Sequence, residues 1–86
     1  MGTQKESIKL AIKDELLGRF REANAKAGDV LSPEWLHNEF LPTLSAKEEK
    51  ALEEVVAEMI TEGIIAYVGG AKPTYKLTQK GEEMLC

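Results

Sequence analysis

The sequence predicts an α+β fold in which three helices are followed by a two-stranded β-hairpin and a short terminal helix. Three capping signals each precede apolar residues at helical spacing, which predicts the helices. After Gly63 the apolar residues become contiguous and are followed by turn residues, which predicts the hairpin. A chain of 86 residues can build one hydrophobic core, so we expect one domain covering residues 1–86.

The first predicted helix runs from about Gln4 to Ala27. Thr3 and Glu6 have the spacing of a capping box at its start, and Gly28 supplies a stop at its end. Its apolar residues recur at helical spacing and are Ile8, Ile12, Leu16, Phe20, Ala23 and Ala27. We therefore expect one face of this helix to pack on the core.

The second predicted helix is short and follows an extended piece from Asp29 to Leu31. Ser32 places a capping hydroxyl immediately before Pro33, and proline favours the first helical position. The apolar residues of this helix are Trp35, Leu36 and Phe40. We expect it to end before Pro42, because the proline ring disfavours helical geometry in the preceding residue.

The third predicted helix runs from Ser45 to Glu62 and has the clearest periodicity in the chain. Ser45 and Glu48 have capping-box spacing, and Gly63 supplies the C-terminal stop. The residues expected on its buried face are Leu52, Val55, Val56, Met59 and Ile60. This helix is therefore expected to contribute most of one side of the core.

The segment after Gly63 changes from helical to strand-like periodicity. Residues 64–68 and 74–77 predict two strands, and the glycines and proline of residues 69–73 predict the turn between them. Thr78 is then placed to cap a last short helix that contains Glu82, Glu83 and Leu85. A β-hairpin followed by a terminal helix results.

The composition excludes several classes of protein. The single cysteine, Cys86, rules out an internal disulfide, and with the single histidine, His37, it rules out a zinc site of the usual type. The chain has no apolar run of membrane-spanning length and no signal-peptide core, so we expect a cytoplasmic protein without a membrane role. It has no nucleophile motif or phosphate loop, so we expect no enzyme activity, cofactor, metal or small-molecule substrate.

Two motifs border the predicted hairpin. The passage from the third helix into the first strand contains Met59-Ile60-x-x-Gly63-Ile64-Ile65-x-Tyr67, and the exit from the second strand contains Tyr75-x-Leu77-Thr78-x-Lys80-Gly81. These motifs and the order of elements resemble the winged helix-turn-helix superfamily, in the form found in small bacterial and phage regulators. The resemblance covers nearly the whole chain. It implies a winged-helix fold with a three-helix bundle, in which the hairpin is the wing.

The same resemblance implies DNA recognition, with the third helix in the major groove and the wing on the backbone or minor groove. Our leading hypothesis is a non-enzymatic, DNA-binding transcriptional regulator that uses the helix 45–62 and the wing 64–77. The net charge is −4, and residues 45–62 contain two lysines and six glutamates, so binding must depend on where the charges lie. A helical wheel places Lys47, Lys50 and Glu54 on the outward midline. The candidate DNA-contacting residues are Ser45, Ala46, Lys47, Lys50 and Glu54 on the helix, and Lys72 and Lys76 on the wing.

The alternative hypothesis is a winged-helix protein-interaction domain, since some members of the superfamily bind proteins. Such a domain would use the acidic flanks of the third helix or an apolar stripe on the first. Leu10 and Leu17 are seven residues apart on that helix, which favours a homodimer or partner-helix interface, or a first helix that the rest of the fold wraps broadly. A continuous basic path from Lys47 and Lys50 to the wing would favour double-stranded DNA as the partner. A continuous acidic surface would favour a basic protein.

Overall fold

The structure of the protein is a computed structural model that describes the backbone of residues 3–85 and the side chains of residues 6–85. The elements in chain order are α1 (Thr3–Glu22), a π-helix (Trp35–Phe40), a 3₁₀ helix (Leu41–Thr43), α2 (Ala46–Thr61), β1 (Ile65–Val68), β2 (Thr74–Leu77) and α3 (Gln79–Leu85). Helices combined with a two-stranded antiparallel sheet confirm the predicted α+β class. Among the described helices, none has both the length and the apolar character needed to cross a membrane. The predicted cap at Thr3 and the free thiol of Cys86 lie outside the described side chains.

Helix α1 ends at Glu22, so the prediction that it continues to Ala27 was wrong. Asn24 takes the left-handed conformation, with φ of 53°, and ends the helix before Gly28 is reached. The N–H of Ala25 donates to the carbonyl of Phe20, and the N–H of Asn24 donates to the carbonyl of Arg21, both at 3.0 Å. These two bonds form a Schellman cap, and Asn is the residue besides glycine that adopts this conformation most readily.

The second helical segment begins as predicted, where the Ser32 hydroxyl accepts the N–H of Trp35 at 3.3 Å. It continues as a π-helix, and the Leu41 N–H donates to the Leu36 carbonyl. It ends at Phe40, before Pro42 as predicted, but Leu41 keeps helical geometry and Pro42 lies inside the 3₁₀ turn that follows, so the predicted effect of the proline ring on the preceding residue was wrong. Proline fits there because it is near the start of that turn, where its missing N–H costs nothing.

Helix α2 begins and ends as the sequence predicts. Ser45 and Glu48 form both bonds of the capping box, at 3.2 Å and 2.9 Å. At the other end Gly63 has φ of +80° and closes a second Schellman cap, in which the Ile64 N–H donates to the Met59 carbonyl at 2.9 Å. Both ends of α2 are therefore fixed by local bonds.

The buried face of α2 differs from the predicted one at its two edges. Leu52, Val55, Val56 and Met59 are buried as predicted, but Ile60 is 40% exposed and Ala51 is only 4% exposed. Ala51 lies beside Ile8 of α1, so the buried stripe is rotated toward α1 and leaves Ile60 on the far edge. The hydrophobic pattern therefore predicted the helix correctly, but it did not predict how the helix is rotated about its axis relative to α1.

The hairpin pairs β1 with β2 in the register Ile65 to Leu77 and Tyr67 to Tyr75. The opposite edge of β2 is also covered, because Leu31 donates to Tyr75 at 2.8 Å and Leu77 donates to Asp29 at 2.9 Å. The extended piece predicted from Asp29 to Leu31 is therefore confirmed, and it lies along β2. This places β2 in the middle and leaves β1 at the outer edge.

The hairpin returns to the helices at Thr78. Its hydroxyl donates to the Ile64 carbonyl at 2.8 Å and accepts the N–H of Gly81 at 3.1 Å, which caps α3 as predicted. Met59, Ile64 and Leu77 are almost fully buried at this junction. The core lies here between α1, α2 and the sheet.

Candidate interaction surfaces

The candidate DNA-contacting residues of the third helix lie at its start: Ser45 is the N-cap of α2, and Ala46, Lys47, Lys50 and Glu54 lie in its first three turns. Ala46, Lys47 and Lys50 are exposed, as predicted. Lys47 and Lys50 border a shallow cleft of about 210 Å³ between α1 and α2, together with Glu54 and Ile8. Glu54 was predicted on the outward midline, but its side chain is half-buried in this cleft because α2 is rotated toward α1.

Several glutamates of residues 45–62 have partners within the fold. Glu48 belongs to the capping box. Glu58 accepts a hydrogen bond from Lys9, and Glu62 Oε1 lies 3.8 Å from Lys13 Nζ. The hydrogen bond that Lys9 donates to Glu58 is the main cause that raises the pKa of Lys9 above its ordinary value. These bonds join α1 to α2 and reduce the negative charge that this side presents to solvent.

The hairpin lysines Lys72 and Lys76 are both exposed. Lys76 is paired with Ala66 and bridged to Val30, whereas its neighbours Tyr75 and Leu77 pack toward α2 and the core. Side chains alternate between the two faces of a sheet, so Lys76 points away from α2. The structure therefore does not bring Lys76 together with the lysines of α2.

A second cleft, of about 330 Å³, lies on the opposite side of α2. Glu49 and Glu53 of α2 stand on one rim, and Pro73 and Tyr75 of the hairpin stand on the other. Its apolar floor is formed by Leu36, Leu41, Leu52 and Val56. We call this feature the α2–hairpin groove. It combines a carboxylate rim with an apolar floor, and its two glutamates belong to the acidic flanks of the third helix, for which the sequence analysis predicted no neighbour.

Two tyrosines extend the hairpin side of the α2–hairpin groove. Tyr67 and Tyr75 face each other across the hairpin, with ring centroids 6.1 Å apart and planes at 63°. Burial raises the pKa of Tyr75, and the phenol of Tyr67 and the carboxylate of Glu53 raise it further. Tyr67 itself is 59% exposed. The sequence analysis named both tyrosines only as motif positions. The alternation of side chains along the two strands could have shown that they lie opposite each other on one face of the hairpin.

His37 connects the second helical segment to the hairpin turn. Its Nε2 lies 2.6 Å from the carbonyl oxygen of Pro73, to which it donates a hydrogen bond. Among the side chains that the structure describes, no three His, Cys, Asp or Glu residues come together as a metal site. The histidine therefore helps to hold the hairpin beside α2, and this bond fixes one end of the α2–hairpin groove.

The two leucines proposed as an interface have different environments. Leu10 is 60% exposed, whereas Leu17 is partly buried and packs against the core. The structure therefore does not present both leucines on one open stripe, and Leu17 fits the alternative in which the rest of the fold wraps α1. A homodimer of the kind expected from the sequence would therefore have to depend on Leu10 and its surroundings.

Comparison of the chain with protein-family models, with curated proteins and with solved structures found no match in any of the three.

Proposed function

We propose that this chain is a non-enzymatic winged-helix module whose ligand is a protein. The winged-helix architecture is supported by the order of helices, by the extended piece along β2, and by the hairpin that follows α2 directly. It is also supported by Gly63 and Gly81, which take part in the helix-to-strand turn and in the close packing of α3. The motif positions of the superfamily thus have local physical roles in this fold.

The observation that carries the choice of a protein ligand is the position of Glu49 and Glu53. Both carboxylates border the groove on the hairpin side of α2, whereas Lys47 and Lys50 border the cleft on the α1 side. A DNA duplex that contacted both α2 and the hairpin would bring phosphates close to these carboxylates. The basic path from α2 to the hairpin is therefore interrupted by negative charge.

DNA binding remains the second candidate, because α2 also exposes cations and uncharged residues. Lys47 and Lys50 are exposed in its first turns, Ala57 and Thr61 are exposed further along, and Ser45 caps the helix. A reader of this type would use the first turns of α2 on base edges, with Lys72 as a backbone contact. Its affinity would be limited by the small number of cations and would fall steeply with salt.

Titration of a short, labelled random-sequence duplex at about 50 mM salt distinguishes the two candidates, since non-specific DNA binding is strongest at low salt. We expect no saturable change in fluorescence anisotropy below about 100 μM protein. Binding in the micromolar range that is lost in Lys47→Glu and Lys50→Glu would overturn the protein proposal in favour of a DNA reader.

A charge-reversal pair tests the reason for that result. Glu49→Lys combined with Glu53→Lys should create measurable DNA binding, because it joins Lys50 to the hairpin by a continuous basic surface. Glu34→Lys combined with Glu83→Lys makes the same change in net charge at exposed positions outside the groove. Equal DNA binding by both variants would show that only the total charge matters. The position of Glu49 and Glu53 would then not explain the absence of DNA binding.

A further inference from the structure

We propose that the α2–hairpin groove binds a short partner segment in which an apolar side chain is flanked by lysine or arginine. This inference rests on the proposed protein-binding function and names the chemistry of the ligand. The floor of the groove supplies the contact for the apolar side chain, since Leu52 and Val56 reach it from the core. Its volume of about 330 Å³ lies at the small end of the range for ligand sites, so it fits side chains rather than a folded element.

The charge of the rim specifies the rest of the partner segment. Glu49 and Glu53 are one helical turn apart and repel each other on the same side of α2. Within the described part of the chain, the ion pairs of α2 involve Glu58 and Glu62 on its other side, and neither rim carboxylate belongs to one. A cation bound between the two carboxylates would relieve their repulsion, and this is the charge complementarity that selects a basic segment.

The hairpin wall adds an aromatic surface to this site. The Tyr75 ring borders the groove within the negative field of Glu53, and the exposed Tyr67 ring continues the surface along the hairpin. Ring faces attract ammonium and guanidinium groups, so the two tyrosines favour the same cations as the carboxylates opposite them. The net charge of −4 would also steer a basic partner toward the protein.

Binding of defined peptides, followed by two-dimensional amide NMR of the full chain, tests the inference. The probe is a capped peptide of alternating lysine and leucine, and its controls replace leucine with serine or lysine with glutamate. We expect the lysine–leucine probe to shift the amide signals of residues 49–56, Thr74 and Tyr75, with a dissociation constant on the order of 0.1 mM. The serine control should bind about fivefold or more weakly, and the glutamate control should not bind.

A matched pair of variants separates the groove from general charge attraction. Glu49→Gln combined with Glu53→Gln should weaken the lysine–leucine probe about fivefold, because it removes both rim charges and keeps their shape. Glu34→Gln combined with Glu83→Gln removes two exposed carboxylates elsewhere and should change the affinity less than twofold. The amide spectrum of each double variant, recorded without peptide, shows whether that variant remains folded.

Several outcomes would overturn the inference. These are equal weakening by both variant pairs, equal binding of the serine control, or shifts that map outside the groove. Concentration-dependent shifts of the same amides without a probe would instead identify a second copy as the occupant. If neither the probe nor duplex DNA binds, the groove inference fails and the proposed protein-binding function stands. DNA binding at low salt would contradict the proposed function itself.

Discussion

Gly81 and Gly18 are both helical glycines, but they have opposite surroundings. A Cβ at Gly81 would lie 2.4 Å from the Ile64 carbonyl oxygen and 2.6 Å from a Leu77 methyl group, whereas a Cβ at Gly18 would meet nothing within 4 Å. The Ile64 carbonyl cannot move without disturbing the exit of the hairpin, since it also accepts hydrogen bonds from the N–H and the hydroxyl of Thr78. Gly81 therefore allows α3 to pack directly on the helix-to-strand junction.

We predict that Gly81→Ala lowers the free energy of unfolding by about 1–3 kcal/mol, the usual cost of overpacking. Gly18→Ala should raise it by about 0.5–1 kcal/mol, because alanine is the better helix former where there is space. Urea denaturation of both variants measures these changes. A neutral Gly81→Ala would contradict the close approach of α3 to Ile64.

The ionisation of Tyr75 predicts how stability changes in alkali. Burial raises its pKa in the folded protein above the ordinary value of 10.0, so the folded state keeps its proton when the unfolded chain has lost it. The stability from this difference is fully present below pH 10 and is lost as the pH rises through the folded-state pKa. The pKa of Lys9 is also raised in the folded protein, so the loss of its proton likewise lowers the free energy of unfolding as the pH rises.

Tyr75→Phe should therefore flatten the alkaline decline in the free energy of unfolding, compared with the wild type. Tyr67→Phe should leave most of the decline in place, because Tyr67 is a smaller cause of the shift than burial. Denaturation curves on both sides of pH 10 check this, and both variants retain Lys9 as a constant background. The same slope in wild type and Tyr75→Phe would show that Tyr75 is not the titrating group.

At the scale of the element, the capping box of α2 has two competing interpretations. Ser45 was a candidate DNA-contacting residue, but its hydroxyl already accepts the Glu48 N–H. We predict that Ser45→Ala lowers the free energy of unfolding by about 1 kcal/mol, the usual value of an N-cap. Ser7→Ala, an exposed change inside α1, should be neutral or slightly stabilising. Thermal denaturation of the two variants measures the difference, and an unchanged Ser45→Ala would contradict the cap.

The sequence predicted those elements whose ends are determined locally. The capping box at Ser45, the stop at Gly63 and the turn of the hairpin each depend on a few neighbouring residues. The end of α1 was missed because Asn24 and Gly28 both tolerate the left-handed conformation, and only tertiary packing decided between them. Predicting that choice required knowing that the segment after Gly28 pairs with β2.

The candidate site was predicted less completely than the fold, because a site depends on how elements are rotated against each other. A helical wheel gives the order of side chains around α2, but not the angle at which α1 packs on it. That angle exposes Ile60, half-buries Glu54 and places Glu53 opposite Tyr75. The α2–hairpin groove results from contacts between residues far apart in the chain, so no local pattern contains it.

At the scale of the whole molecule, α2 separates two surfaces of different charge character. On the α1 side, Lys9 and Lys13 are joined to carboxylates of α2, and Lys47 and Lys50 stand nearby. On the hairpin side, Glu49 and Glu53 face tyrosine and proline. Among the described exposed carboxylates of α2, those outside the ion pairs with α1 therefore lie on the hairpin side, although the sequence distributes glutamates along the whole helix.

The oligomeric state depends on how much apolar surface the whole molecule exposes. Stable interfaces bury about 800 Å² on each partner, which one exposed leucine at position 10 does not supply without a surrounding apolar patch. With Leu17 packed against the core, we predict that the wild type sediments as a monomer in reducing buffer.

Leu10→Glu should leave the sedimentation unchanged and should change the free energy of unfolding by no more than about 0.5 kcal/mol. Leu17→Glu should lower that free energy by about 1–3 kcal/mol, because it brings a charge into a partly buried position. A wild-type dimer that Leu10→Glu converts to a folded monomer would contradict this prediction and establish the homodimer expected from the sequence.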